Sequence, residues 1–177
     1  MPNLRIIGMG NILYRDEGVG VFAVNCLRSC FSFSPAVDFE DGGLAGFGLI
    51  DLIFEPASVL VLDAIATDAA PGTIFRLGPE ALADLGPNMK PTAHEVDPLH
   101  VFKLAAGLGA PIDMVLLGIV PADALDFRLG LTPELTEVFE TYLAAALAEI
   151  RSHGITVTQK MPISLPVILD SLAKAPR

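Results

Sequence analysis

Short apolar runs of strand length alternate along the chain with longer stretches of helical periodicity, which is the pattern of a parallel α/β sheet. Leu4–Met9 reads as the first strand. A loop over residues 11–15 follows, and then a helix over 16–30 with apolar Val19, Val21, Phe22, Val24 and Leu27. Residues 36–40 read as a short second strand ending in Asp41-Gly42-Gly43, and 46–54 as a second helix. Ser58–Ala64 is a continuous apolar run, as expected of a central strand buried on both faces. A further strand is expected over 73–77, and loop with one short helical turn over 78–93. Asp97-Pro98 opens a helix to residue 106 in the manner of an N-cap followed by proline. Residues 113–120 read as another buried strand closed by Pro121. Thr132-Pro133-Glu134 then opens the longest helix, to residue 152 with Gly154 beyond it, and 155–159 reads as an edge strand. The expected fold is an α/β three-layer sandwich, a twisted and mostly parallel sheet flanked by helices on both faces. Residues 1–159 form its single domain, and 160–177, with prolines at 162, 166 and 176, read as an irregular tail.

Composition narrows the class. With 177 residues, 52% of them hydrophobic, the chain can bury a core without disulfides or structural metal, and two cysteines make no disulfide framework. A net charge of −10 and a pI near 4.5 argue against nucleic-acid and anionic-membrane partners, which call for clustered Lys and Arg. No apolar run approaches the roughly 18 residues of a membrane span. The start, Met-Pro-Asn-Leu-Arg, carries no charged leader or small-residue cleavage site, so a cytoplasmic location is expected. The acidic surface allows a monomer that meets its partner transiently.

Open parallel sheets bind ligands outside the carboxyl ends of their strands, and those positions collect unusual chemistry here. The first strand ends at Gly8-Met9-Gly10-Asn11, with Asp16 and Glu17 at the head of the next helix. The second ends at Asp41 and the central one at Asp63, while His94 lies in a loop able to fold over the same edge. Carboxylates gathered without a basic partner repel unless they share a cation or a proton, and an oxygen-rich site with one histidine suits a divalent metal. Plainer roles compete. Asp16 reads first as a helix N-cap, Glu17 as a favourable charge at the helix dipole, Asp41 as a turn residue and His100 as a surface residue. Asp63, after Val-Leu-Val-Leu, is harder to account for structurally, because a carboxylate at that depth is costly unless paired. Gly8 and Gly10 invite a dinucleotide reading, but the third glycine of that fingerprint is Leu13 here. Cys26 and Cys30 read as two small buried side chains sharing a helix face, ahead of a metal pair or a reactive thiol.

Taken together, the motifs resemble those of the hydrogenase maturation endopeptidases. Residues 8–20, Gly-Met-Gly-Asn-Ile-Leu-Tyr-Arg-Asp-Glu-Gly-Val-Gly, match that family's G-x-G-N-x-L-x-x-D-E-G-x-G. Asp41-Gly42-Gly43-Leu44-Ala45-Gly46 matches D-G-G-x-x-G, Asp63-Ala64 the buried D-A, and Pro71-Gly72-Thr73 the P-G-T. His94 stands where the family has its histidine, and Gly118-Ile119-Val120-Pro121 resembles G-x-x-P. The resemblance implies an endopeptidase that removes the C-terminal extension of a [NiFe] hydrogenase large-subunit precursor after nickel insertion. It implies that Glu17, Asp63 and His94 form a metal site reading the nickel that the substrate carries, a site that other divalent cations could also fill. Glu17 and Asp63 are then also the candidate catalytic residues, with Asp41 a further candidate to orient the tail or take a proton. Two other classes stay open: a nickel-binding chaperone or checkpoint without peptidase activity, and a nucleotide-binding α/β enzyme.

Overall fold

The computed structural model describes residues 4–43, 58–84 and 113–174. Within them the order is β1 (Leu4–Met9), a 3-10 turn (Arg15–Gly18), α1 (Val19–Cys30), β2 (Phe31–Ser34), β3 (Asp38–Gly43) and β4 (Ser58–Ala64). Then come β5 (Ile74–Leu77), α2 (Pro79–Asp84), β6 (Met114–Ile119), α3 (Pro133–Ser152), β7 (Thr156–Gln159) and α4 (Leu165–Lys174). Five strands form one sheet in the order β3-β1-β4-β6-β5, parallel throughout except for antiparallel β5. The expected α/β architecture with a mostly parallel sheet is thus observed. A separate antiparallel ribbon joins β2 to β7.

Alternation along the central strands explains their continuous apolar sequences. Leu4, Ile6, Leu60, Leu62, Val115 and Leu117 join Phe22 and Leu27 of α1 and Phe139, Tyr142 and Leu143 of α3 in one core. The intervening Ile7, Met9, Val59, Val61, Met114 and Leu116 are buried as well, so neither face of the sheet is left to solvent. Helix α3 starts where its sequence directs: Thr132 is the N-cap, its hydroxyl accepting the Leu135 N–H at 3.3 Å, and proline follows at the first helical position. Past its end, Gly154 takes the left-handed conformation at φ 76°.

Three expectations change. The segment after residue 160 is not irregular throughout, because α4 buries Ile168 and packs on α1. Its Pro166 lies in the first turn, where a missing N–H is harmless, so the prolines do not break it. Residues 31–34, assigned to no element, form β2, and the strand expected at 36–40 starts at Asp38 and continues through Gly43. The helices expected over 46–54 and 97–106 lie outside the described residues, as do His94 and His100. No helix among the described residues is long and apolar enough to cross a membrane.

Candidate active site

The carboxyl edge of the sheet is assembled around the loop from β1 to α1. Asn11 shapes it locally, its side-chain oxygen accepting the Leu13 N–H at 3.0 Å and its carbonyl the Tyr14 N–H at 3.0 Å. Arg15 holds a left-handed backbone, φ 47°, which a non-glycine residue adopts only when its surroundings compensate. They do: its N–H reaches the Arg128 carbonyl at 2.9 Å and its guanidinium the Asp126 carboxylate at 3.0 Å.

The glycines of the first motif are explained by backbone packed on backbone. Gly10 has φ 120°, and a side-chain carbon there would overlap the Glu17 carbonyl oxygen. A carbon on Gly20 would overlap the Leu62 carbonyl oxygen, so the first turn of α1 rests directly on the end of β4. The room these glycines leave is filled by the protein's own main chain. That removes the physical basis for a Gly8/Gly10 phosphate cradle, which needs open space for a pyrophosphate.

Asp16 is not an N-cap. Neither the 3-10 turn nor α1 has a side-chain cap, and Asp16 is fully buried with its oxygens turned to a distant loop. Oδ2 accepts the N–H groups of Ala122 (2.9 Å) and Asp123 (3.0 Å) and the Thr132 hydroxyl (2.8 Å). Oδ1 accepts the Thr132 N–H at 2.7 Å. Four donors satisfy this carboxylate, and it ties the loop between β6 and α3 to the head of α1. Sequence reasoning missed this because every partner is more than a hundred residues away.

Glu17 follows in the same turn and is 5% exposed, while Asp63 at the end of β4 is 2% exposed. The turn carrying Glu17 packs against β4, so both acids stand at one edge of the sheet. Asp63 Oδ1 accepts the Ala64 N–H at 2.8 Å. A fully buried tyrosine fixes its backbone: the Tyr142 hydroxyl accepts the Asp63 N–H at 3.1 Å and donates to the Leu117 carbonyl at 2.8 Å, bridging β4 and β6. Burial, and after it the charge of Asp63, push the Tyr142 phenol well above its ordinary range, so it stays a neutral donor. Nothing local in the sequence distinguishes Tyr142 from its neighbours on the helix.

Asp41 lies apart from that pair. Its register partner is Gly8, whose other neighbour is Leu62, so Asp41 and β4 are separated by β1 and stand about 10 Å apart. Strand alternation puts Asp41 on the α1 side of the sheet and Asp63 on the other, and Asp41 is exposed. Among the described residues, no three His, Cys, Asp or Glu side chains are grouped to hold a metal ion. Cys26 and Cys30 do lie together, Sγ to Sγ 3.8 Å, but both are buried and the Cys26 thiol is pushed up to about 12, chiefly by burial. They match the reading as small core side chains rather than reactive thiols.

A parallel α/β domain with two buried acids at the carboxyl edge of its central strands has the form of an enzyme site. Residues 21–149 match the family model described as hydrogenase maturation protease. The chain is 32% identical over 160 residues to the hydrogenase expression/formation protein HupM of Azotobacter chroococcum mcd 1, covering 90% of this chain and 77% of that one. It is 32% identical to the hydrogenase 2 maturation protease of Escherichia coli strain K12, covering 85% of this chain and 92% of that one. In structure it is similar to the hydrogenase maturating endopeptidase HybD from E. coli, with a TM-score of 0.76 and 28% identity over 90% of this chain and 98% of that one. The HycI protease from Thermococcus kodakarensis KOD1 gives 0.65 and 25%, covering 84% and 91%. The chain belongs to the hydrogenase maturation protease family. It is a peptidase, the first of the three classes the sequence left open.

Proposed function

We propose that this peptidase removes the C-terminal extension of a [NiFe] hydrogenase large-subunit precursor once nickel is in place, and that it reads the nickel through Glu17, Asp63 and His94. The observation that carries the reading is the placement of two carboxylates, each at most 5% exposed, on adjoining elements at the carboxyl edge of the sheet. Two hard oxygen donors with one imidazole suit a divalent first-row cation. Three protein ligands also leave coordination positions for the groups that hold nickel in the substrate. The nickel arrives as part of the substrate and docks the uncleaved tail. A nickel-free precursor presents no cation for these ligands to hold, so loaded and unloaded precursors are separated. Asp41, exposed near the end of β3, is the further candidate to orient the tail outside the metal site or to take a proton.

The test is processing of a nickel-loaded precursor by Glu17→Gln, Asp63→Asn and His94→Ala, with thermal unfolding followed in parallel. Each variant should lose cleavage while keeping its fold. Full cleavage by all three would discard the nickel-reading site.

A further inference from the structure

Of the five large hydrophobic side chains exposed among the described residues, three stand together beside the site: Tyr14 (36% exposed), Leu125 (82%) and Phe127 (68%). The rings of Tyr14 and Phe127 meet edge to face, centroids 5.5 Å apart. The segment that presents them is held firmly. Asp16 anchors both of its ends, at Ala122, Asp123 and Thr132. Asp123 turns it internally, its carboxylate accepting the N–H groups of Leu125 (2.9 Å) and Asp126 (3.0 Å), which hold that carboxyl below its usual range. Tyr14 bridges to Arg128, and Arg15 pairs with Asp126.

A loop fixed this thoroughly has no folding reason to aim a leucine and a phenylalanine into water. Aromatic groups on a pre-organised surface, flanked by arginine, are the composition of a binding hot spot. The charges within the patch, Arg15 and Arg128 against Asp123 and Asp126, cancel, whereas the whole chain carries −10. This is therefore a neutral, apolar face on an acidic protein, suited to an apolar partner surface. Its position names the occupant. Tyr14 opens the turn that carries Glu17, its carbonyl accepting the Glu17 N–H at 3.0 Å, and Asp16 ties the segment of Phe127 to that same turn, so whatever covers Tyr14 and Phe127 sits next to the turn of the proposed site.

We infer that Tyr14, Leu125 and Phe127 form the docking surface that seats the folded body of the large-subunit precursor while its tail enters the site. This rests on the proposed function above. An endopeptidase that cuts one bond in one protein draws selectivity from contacts beyond that bond, and a rigid apolar surface beside the site supplies them.

The test is steady-state processing of a nickel-loaded precursor that the wild-type protein cleaves, comparing wild type, the double variant Leu125→Ser/Phe127→Ser, and Asp63→Asn. The double variant should raise KM tenfold or more with kcat within about twofold and melting temperature unchanged, since the removed groups are exposed. Asp63→Asn should lose kcat and still bind the precursor. An unchanged KM in the double variant, with Asp63→Asn inactive, overturns the docking surface alone. Normal cleavage by Asp63→Asn overturns the site reading instead. Wild type that sediments as a dimer, with the double variant monomeric and KM unchanged, would assign the face to a second copy and overturn the inference.

Discussion

The two ends of α1 are built on different terms. At its N-terminal end, main chain lies on main chain: Gly20 rests on the Leu62 carbonyl, Gly10 on that of Glu17, and Asp16 is saturated by four directed hydrogen bonds. At its C-terminal end, Cys26, Leu27 and Cys30 are buried in the apolar core, and among the described residues the thiols make polar contact with each other and with the Pro162 carbonyl at 3.7 Å. Directed contacts fix position and tolerate no added atom. Dispersion contacts fix volume and tolerate modest changes in it. The proposed site stands at the first end, where position matters.

The largest effect should therefore follow from adding one carbon at the N-terminal end. Gly10→Ala combines backbone strain of roughly 1–3 kcal/mol with overpacking of about 1–3 kcal/mol, and should cost about 3 kcal/mol or more. Gly20→Ala must push α1 off β4 and should cost about 1–3 kcal/mol with loss of processing. Urea unfolding and a cleavage assay check both, and wild-type midpoints would break the comparison.

Asp16→Asn comes next. The amide keeps one acceptor oxygen but turns an NH2 toward N–H donors, for an expected cost of about 2–3 kcal/mol. Amide exchange offers a local readout: the Ala122, Asp123 and Thr132 N–H groups should lose protection together. If they stay protected, Asp16 is not what ties that loop.

Much of the frame is legible in the sequence. Leu4–Met9 and Ser58–Ala64 are strands with the bounds their apolar runs indicated, because burial on both faces leaves a local signature. Thr132-Pro133 announced α3 for an equally local reason. What could not be read depends on distant partners. β2 exists only because residues 31–34 pair with 156–159, and α4 only because α1 offers an apolar face. The site divides the same way. Glu17 and Asp63 could be singled out because acids beside apolar runs are conspicuous, whereas the roles of Asp16 and Tyr142 follow from contacts across 25 to 116 residues.

Tyr142→Phe should cost less, about 1–2 kcal/mol. It removes only the bridging hydroxyl, and Asp63 and Leu117 lie on paired strands that can close toward each other. A pH series sharpens this. The folded phenol ionises well above 10, the unfolded one near 10, so its contribution is full below pH 10 and falls as pH rises beyond it. The variant should lose that part of the alkaline slope, and an identical slope would mean that Tyr142 is not held neutral beside Asp63.

The smallest effect belongs to the far end of the helix. Cys26→Ala removes one sulfur from a dispersion-packed site and should cost about 1 kcal/mol, less than the single carbon added at Gly20. The native thiol at about 12 against 9 when unfolded adds stability that is complete below pH 9 and disappears between 9 and 12. At pH 8, native protein should therefore react slowly with a thiol reagent, and denatured protein should release two equivalents at once. A thiol that reacts rapidly in the native state, or a Cys26→Ala loss larger than that of Gly20→Ala, would reverse the contrast. The end of α1 away from the proposed site would then be the more exacting one.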